Sequence, residues 1–340
     1  MSVAQPRPDV QRTEEEIVDL VLLSIADEFF SKTQDTSRIT RTALMKMVFA
    51  IVEDLDLPVT RCWFKFGGYL DHANITEARL NELVGKLAPG YTKFPSAQDV
   101  RTKLLPGNKE IYDRCREMAR ENEKIFFTKR KDMMDEQYRT RLEGELRDVY
   151  LANREYTEFV WGMMNRIKDQ GTYPLNVCQK ITDIVTRFHK QLSKMEDGER
   201  IVLLFSDFLD IVEQLFITLE ARHYEEGPKL DGWVSTMKMV QDYYNDSIWA
   251  YPAYLFAIKT AKGPRKDDIV KQKRTAFERI DMQLEDLAAF KARVQSTGNL
   301  PTLQELEAHL ERTKAGMSKE RVKVLEKILG DHKGGYGDDA

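Results

Sequence analysis

The sequence predicts a mostly α protein, a multi-helix bundle with at most a small β element. Three observations carry this reading. Glycine and proline are few, 18 and 11 in 340 residues, while the good helix formers Glu, Lys, Arg, Leu and Met are plentiful. Apolar residues recur at helical spacing along most of the chain. Period-two alternation is clear in one short stretch, residues 59–66.

Taken in order, residues 1–12 read as a disordered N-terminus. Thr13-Glu14-Glu15-Glu16 has the form of a capping box, with acids placed to favour a helix dipole. Ile17, Leu20, Val21, Ile25 and Phe29 then follow at helical spacing. The next helix, from an N-cap at Thr40 through Ala43 to Val52, is apolar on nearly every side, which requires burial on every side. Asp54 to Pro58 end it. In residues 59–66, Cys62, Phe64 and Phe66 line one face and Arg61, Trp63 and Lys65 the other, as in a strand or wing. Gly67-Gly68 permits a sharp turn. Asn74-Ile75-Thr76-Glu77 opens a helix carrying Leu80, Leu83, Val84 and Leu87. Pro106-Gly107 is a strong break, taken as a domain boundary.

Beyond that point the chain reads as helices alone. Residues 108–170 suggest one or two long helices with a single buried stripe. Leu175 to Lys194 and Glu199 to His223 are further helices, the second apolar enough for a core. Residues 233–261 are aromatic-rich, with a kink before Pro252, and Gly263-Pro264 stops them. Residues 267–294 form a narrow apolar seam. Pro301-Thr302 with Glu305 opens another helix, and Ser318 caps the last. The domain organisation expected is an N-terminal helical domain with a short strand or wing over 13–105, a helical bundle over 106–262, a helical arm over 263–330 and a disordered tail over 331–340.

The chain is 42% hydrophobic and 32% charged, with a formal net charge of -4. No global basic field draws it to nucleic acid or membrane, so local patches must carry such roles. Cys62, Cys115 and Cys178 are odd in number and far apart, which excludes a readable disulfide framework or CxxC metal pair. No signal peptide and no uncharged run long enough to span a bilayer is present. The expected setting is the reducing cytoplasm, without membrane association.

The most distinct charge feature is Lys259 to Arg274. Lys259, Lys262, Arg265, Lys266, Lys271, Lys273 and Arg274 stand against Asp267 and Asp268, just after Trp249, Tyr251, Tyr254 and Phe256. Basic groups neutralise phosphates and aromatics stack on bases. The structural reading is a helix C-terminus favoured by lysines above a packed aromatic core. A second basic run, Lys129-Arg130-Lys131 with Arg139 and Arg141, is interrupted by acids and reads as a solvated helix face. Trp63, Phe64 and Tyr69 form either a partner-binding aromatic patch or a turn packed on the buried helix.

Glu220 and His223 share one helix face at the Glu-x-x-His spacing of carboxylate-bridged metal bundles. A second copy is missing, since Glu305 and His309 are four apart. No metal and no cofactor is therefore expected. No zincin, P-loop, Rossmann or nucleophile-elbow pattern occurs. Cys178 lies among apolar neighbours, as a core thiol does.

Leu44-Met45-Lys46-Met47-Val48-Phe49, the Leu57-Pro58 link and Trp63-Phe64-Lys65-Phe66-Gly67-Gly68-Tyr69 together resemble the opening of the Panacea (SocA-like) antitoxin domain over residues 40–72. That family pairs an apolar helix with an aromatic turn. Gly68 stands where it usually has proline. The resemblance implies a small, mostly helical regulatory or adaptor domain, with roles in toxin neutralisation or phage defence, and no catalytic residues. The function expected is a non-enzymatic interaction or regulatory protein with a protein partner or self-association. The alternatives are nucleic-acid binding through residues 259–274, and an enzyme or metal protein around Glu220 and His223.

Overall fold

The computed structural model describes residues 14–30, 41–65, 67–70, 100–173, 176–195, 197–223 and 230–315, with backbone alone at Phe30, Arg41, Val100, Arg130, Lys131, Arg222, His223, Leu230, Thr313 and Ala315. The described residues are overwhelmingly helical, and their one sheet has two strands. The chain is mostly α, as its composition and periodicity imply. Thr40 and residues 74–87, where an N-cap and a helix are expected, lie outside the described residues, as do Phe66, Ser318 and the terminal segments.

In chain order the elements are α1 (Glu14–Ile25), α2 (Arg41–Asp54), β1 (Arg61–Phe64), β2 (Gly67–Leu70), α3 (Leu105–Glu121), α4 (Lys124–Phe127), α5 (Arg130–Arg141) and α6 (Gly144–Gln170). There follow α7 (Val177–Leu192), α8 (Gly198–His223), α9 (Leu230–Tyr243), α10 (Ala250–Thr260), α11 (Lys266–Phe277), α12 (Ile280–Gln295) and α13 (Leu303–Ala315). Single π-helical turns follow α1 and α9 and precede α3. The chain divides into two compact units, residues 1–151 with 249–280, and residues 152–248 with 281–340. The divisions read from sequence, at 106 and 263, rest on breaks in helix, whereas compact units follow packing. The two criteria cut the chain in different places.

In the first unit α1 is buried from Ile17 to Ile25, including Asp19 and Ser24. The Ser24 hydroxyl donates to the Val21 carbonyl at 2.7 Å, which removes its need for water. Leu20 and Leu23 pack on Tyr112 of α3. Glu28, 6% exposed, is compensated by Arg116 at 2.9 Å and Arg120 at 3.1 Å. A buried carboxylate needs such partners. Every residue of α2 from Met47 to Val52 is buried. Lys46 of α2, 5% exposed, donates to the Gly68 carbonyl at 3.1 Å.

β1 and β2 pair antiparallel, Arg61 with Leu70 and Phe64 with Gly67. Gly67 and Gly68 therefore open β2 rather than forming the turn. The reason is steric. Gly67 has φ +96°, a left-handed value that suits glycine. A Cβ at Gly68 would lie 2.3 Å from the Phe49 ring. The other edge of β1 is closed by the end of α10. Arg61 and Lys262 exchange backbone hydrogen bonds of 3.0 and 2.9 Å, and the Trp63 N–H donates to Thr260 Oγ1 at 2.8 Å. The strand is left without an open edge for pairing there.

Tyr150 is the hub of the aromatic core. Its ring stacks on Tyr138 at 4.8 Å and Phe256 at 4.6 Å, and meets Trp63 and Trp249 edge-on at 6.0 and 5.6 Å. Its hydroxyl donates to the Phe64 carbonyl.

Residues 108–170, expected to form one or two helices, form four. The chain leaves helix around Asn122-Glu123, Thr128-Lys129 and Leu142-Glu143. Asn122 folds its side-chain amide back to the Met118 carbonyl at 3.0 Å, a local competitor of the helix. Pro106-Gly107, expected as a break, sits in the first turn of α3, where proline lacks no needed N–H, and the helix does kink directly after it, at Asn108 with φ -135° and ψ 22°. Pro252 likewise falls in the first turn of α10, and the helix is interrupted just before it, as expected, at Trp249. The seam over 267–294 is split between α11 and α12 at Glu278-Arg279.

In the second unit α7 lays Val177, Ile181, Ile184, Val185, Phe188 and Leu192 against α8. Phe188, Phe205, Phe208, Tyr156 and Tyr244 make the aromatic centre. Several buried polar groups there find partners, although Gln241 Oε1 and His189 Nε2 have none among the described residues. Gln241 Nε2 donates to the Tyr156 hydroxyl at 2.7 Å, the Tyr244 hydroxyl bonds Asn153, and Trp233 Nε1 donates to the Leu215 carbonyl at 2.7 Å.

Candidate functional site

The basic stretch lies on the end of α10, the following link and α11. Much of it is engaged within the first unit. Lys259 pairs with Glu145 at 2.8 Å. Arg265 Nε donates to Glu14 at 3.0 Å, and Glu14 also accepts from the Thr60 N–H and hydroxyl, each at 2.9 Å. The Lys273 ammonium stands 4.3 Å from the centre of the Phe64 ring, a cation–π contact. Lys262, Lys266, Lys271 and Arg274 are exposed.

The aromatic run is divided between two environments. Trp63, 3% exposed, packs against Phe49, Tyr138 and Tyr150. Phe64 and Tyr69 lie on the opposite face of the hairpin, half-buried beside Cys62, Ala257 and Ile269. Phe64 also stacks on Tyr254 at 5.9 Å. The alternation read from sequence is thus real at 62–64, and both faces are covered by the first unit.

Among the candidate ligands, the His223 side chain lies outside the described residues. Glu305 closes a capping box, its carboxylate accepting the Thr302 N–H at 2.6 Å and Thr302 Oγ1 accepting the Glu305 N–H at 3.2 Å. No group of three metal-ligating side chains gathers among the described residues. Burial, reinforced by a hydrogen bond to Glu220, pushes the Cys178 thiol up. Burial pushes Cys115 up to about 12. Both thiols stay protonated at neutral pH and are held as core groups.

A polar cleft of about 170 Å³ opens in the first unit where α3, α4 and α5 converge. The buried side chains Ile125 and Met133 give it an apolar base. Gln137, Thr140 and Arg141 of α5 line one side, facing Glu121, Asn122 and Lys124, with Glu136 exposed beside them. Arg141 is fixed from behind. It bonds Asp54 at 2.7 and 2.9 Å, Glu53 at 3.2 Å and the Asn122 amide oxygen at 3.1 Å. Burial works against its charge, but Asp54 and Glu53 more than offset that, and its pKa lies above the ordinary value.

Gln137 is different. It is 7% exposed, and among the described residues no protein group bonds its amide. Its amide is open to the cleft rather than sealed in the core.

A family model described as Domain of unknown function (DUF8098) matches residues 6–324. The chain belongs to that family. No curated protein and no solved structure matches it.

The match reaches both compact units of this DUF8098 chain, and its description assigns no activity. Of the residues selected from sequence, the structure brings Lys273 onto Phe64 and sets Trp63 in the core. The Arg141–Gln137 cleft was not among them. Its signal is an i, i+4 pair, Gln137 and Arg141, on a helix read as a solvated face. Only folding shows that this pair meets Ile125 and Asp54.

Proposed function

We propose that this DUF8098 chain is a non-enzymatic interaction or regulatory protein, acting in the cytoplasm through protein contacts. One observation carries the reading. Leu203 on α8 and Met282 on α12 are 54% and 63% exposed. Their helices are tied by two ion pairs, Arg200 with Asp281 at 2.8 Å and Lys291 with Asp210 at 3.1 Å. Apolar side chains flanked by charges are the pattern of an interface core with a polar rim. Covering them with a partner returns about 25 cal/mol for each Å² of apolar surface. The three free, buried cysteines fit a reducing compartment. No described helix is long and apolar enough to cross a membrane. The regulatory part of the reading rests on the resemblance of residues 40–72 to Panacea domains.

The test compares the wild-type chain with the Leu203→Glu/Met282→Glu double variant, by light scattering and by quantitative capture from the native cell. The expected result is a second copy or a specific partner that falls at least ten-fold in the variant. A wild-type protein that is strictly monomeric and captures nothing removes the reading.

A second reading is nucleic-acid binding. It is favoured by Lys266 and Lys271 on α11, exposed and without an ion pair among the described residues. It predicts affinity that falls steeply with salt and a loss in Lys266→Glu/Lys271→Glu. Salt-independent or unchanged binding in that variant eliminates it.

A further inference from the structure

We infer that the cleft between α3, α4 and α5 is a binding site for a small organic cation, an alkylammonium or guanidinium group, with Gln137 as its hydrogen-bonding anchor. Three observations support this. First, size: about 170 Å³ is several times the roughly 30 Å³ share of one liquid water, yet below the roughly 300 Å³ where pockets for drug-sized ligands begin. A head group of a few heavy atoms fits. Second, an open anchor: the Gln137 side chain is largely buried and lines the cleft, and its amide, with no protein partner among the described residues, is open to the cleft. Its carbonyl oxygen accepts from N–H donors, which an alkylammonium or guanidinium group supplies. Third, charge: the positive charge of Arg141 is already matched by Glu53 and Asp54. Among the described groups lining the cleft or bound to Arg141, carboxylates outnumber cations, because Glu121 and Glu136 face only Lys124. An anion is repelled and a cation is favoured. The apolar base of Ile125 and Met133 suits the carbon stem that such a head group carries.

The cation has two sources of the same chemistry, a free small amine or guanidine, or a Lys or Arg side chain on a peptide. The experiment titrates the full-length chain, followed by calorimetry and by NMR shifts, with methylguanidinium, propylammonium, acetate and N-acetyl-arginine methylamide. At least one of the two small cations is expected to bind in the millimolar range, and acetate at least ten-fold more weakly. In Gln137→Leu, cation binding is expected to fall at least ten-fold. That substitution removes an amide that bonds no protein group among the described residues and leaves the fold intact, which a melting curve checks. Glu136→Gln, at an exposed position, is expected to weaken binding two- to three-fold. Tighter binding of the blocked arginine than of methylguanidinium assigns the site to a side chain. Exclusion of the blocked arginine assigns it to a free cation. Acetate binding as well as the cations, no cation binding, or unchanged affinity in a folded Gln137→Leu overturns the inference. The interface reading at Leu203 and Met282 is unaffected by any of these outcomes.

Discussion

Tyr150→Ala is expected to destabilise the first unit by about 3–5 kcal/mol, the range for removing a large aromatic side chain from a packed core. The expectation follows from the position of the ring. Tyr150 is 1% exposed and touches four other aromatic rings, drawn from β1, α5, α10 and the residue just before α10. Truncation leaves a cavity bordered by rigid rings that cannot collapse into it. It also orphans the Phe64 carbonyl, which accepts the Tyr150 hydroxyl. Burial is the main cause that raises the pKa of that hydroxyl far above its ordinary value, so it remains a donor at any working pH. Tyr150→Phe separates the two contributions. It keeps the ring and is expected to cost about 1–2 kcal/mol. Urea unfolding followed by tryptophan emission reads both, because Trp63 and Trp249 sit against the ring. A cost below 1 kcal/mol for Tyr150→Ala would place the core elsewhere.

Gly68→Ala comes next, at about 2–3 kcal/mol. The backbone at Gly68 needs no left-handed angle, so the cost is steric. The new methyl would stand 2.3 Å from the Phe49 ring, and Phe49 is itself held edge-on by Trp63 at 5.5 Å. Overpacking of this kind costs about 1–3 kcal/mol, and a ring trapped between α2 and the hairpin belongs at the upper end. The clash has a named partner, so it can be relieved. Adding Phe49→Leu to Gly68→Ala should cost less than the sum of the two single changes. Strict additivity would show that the glycine is needed for something other than the Phe49 contact.

These two positions show what the sequence made legible. The apolar run of α2 announced a helix buried all round, because no other structure hides that many consecutive apolar side chains. The alternation at 62–64 announced a strand, since Cys62 and Phe64 on one side and Trp63 on the other each find cover. Other features were hidden for physical reasons. The two glycines looked like a turn because sequence shows conformational freedom but not what approaches; it is Phe49 that demands the space. Pro106 and Pro252 did mark interruptions, at Asn108 and Trp249, but which side of the proline breaks was hidden, because the first turn of a helix tolerates it. The cations of 259–274 looked available because Glu14 and Glu145, which neutralise Arg265 and Lys259, are far away along the chain. The Gln137 cleft left only the i, i+4 pair of Gln137 and Arg141, because an amide without a protein partner is defined by what the fold fails to bring to it.

The account depends on the hairpin at 61–70 being part of the packed centre of the first unit rather than a mobile docking patch. Native-state hydrogen exchange on the full-length chain tests this most directly. The Arg61 and Trp63 amides, bonded to the Lys262 carbonyl and Thr260 Oγ1, are predicted to exchange as slowly as those of Met47 to Val52 in α2, through the same global opening. Fast exchange at Arg61 and Trp63 by local opening, while α2 stays protected, would contradict it.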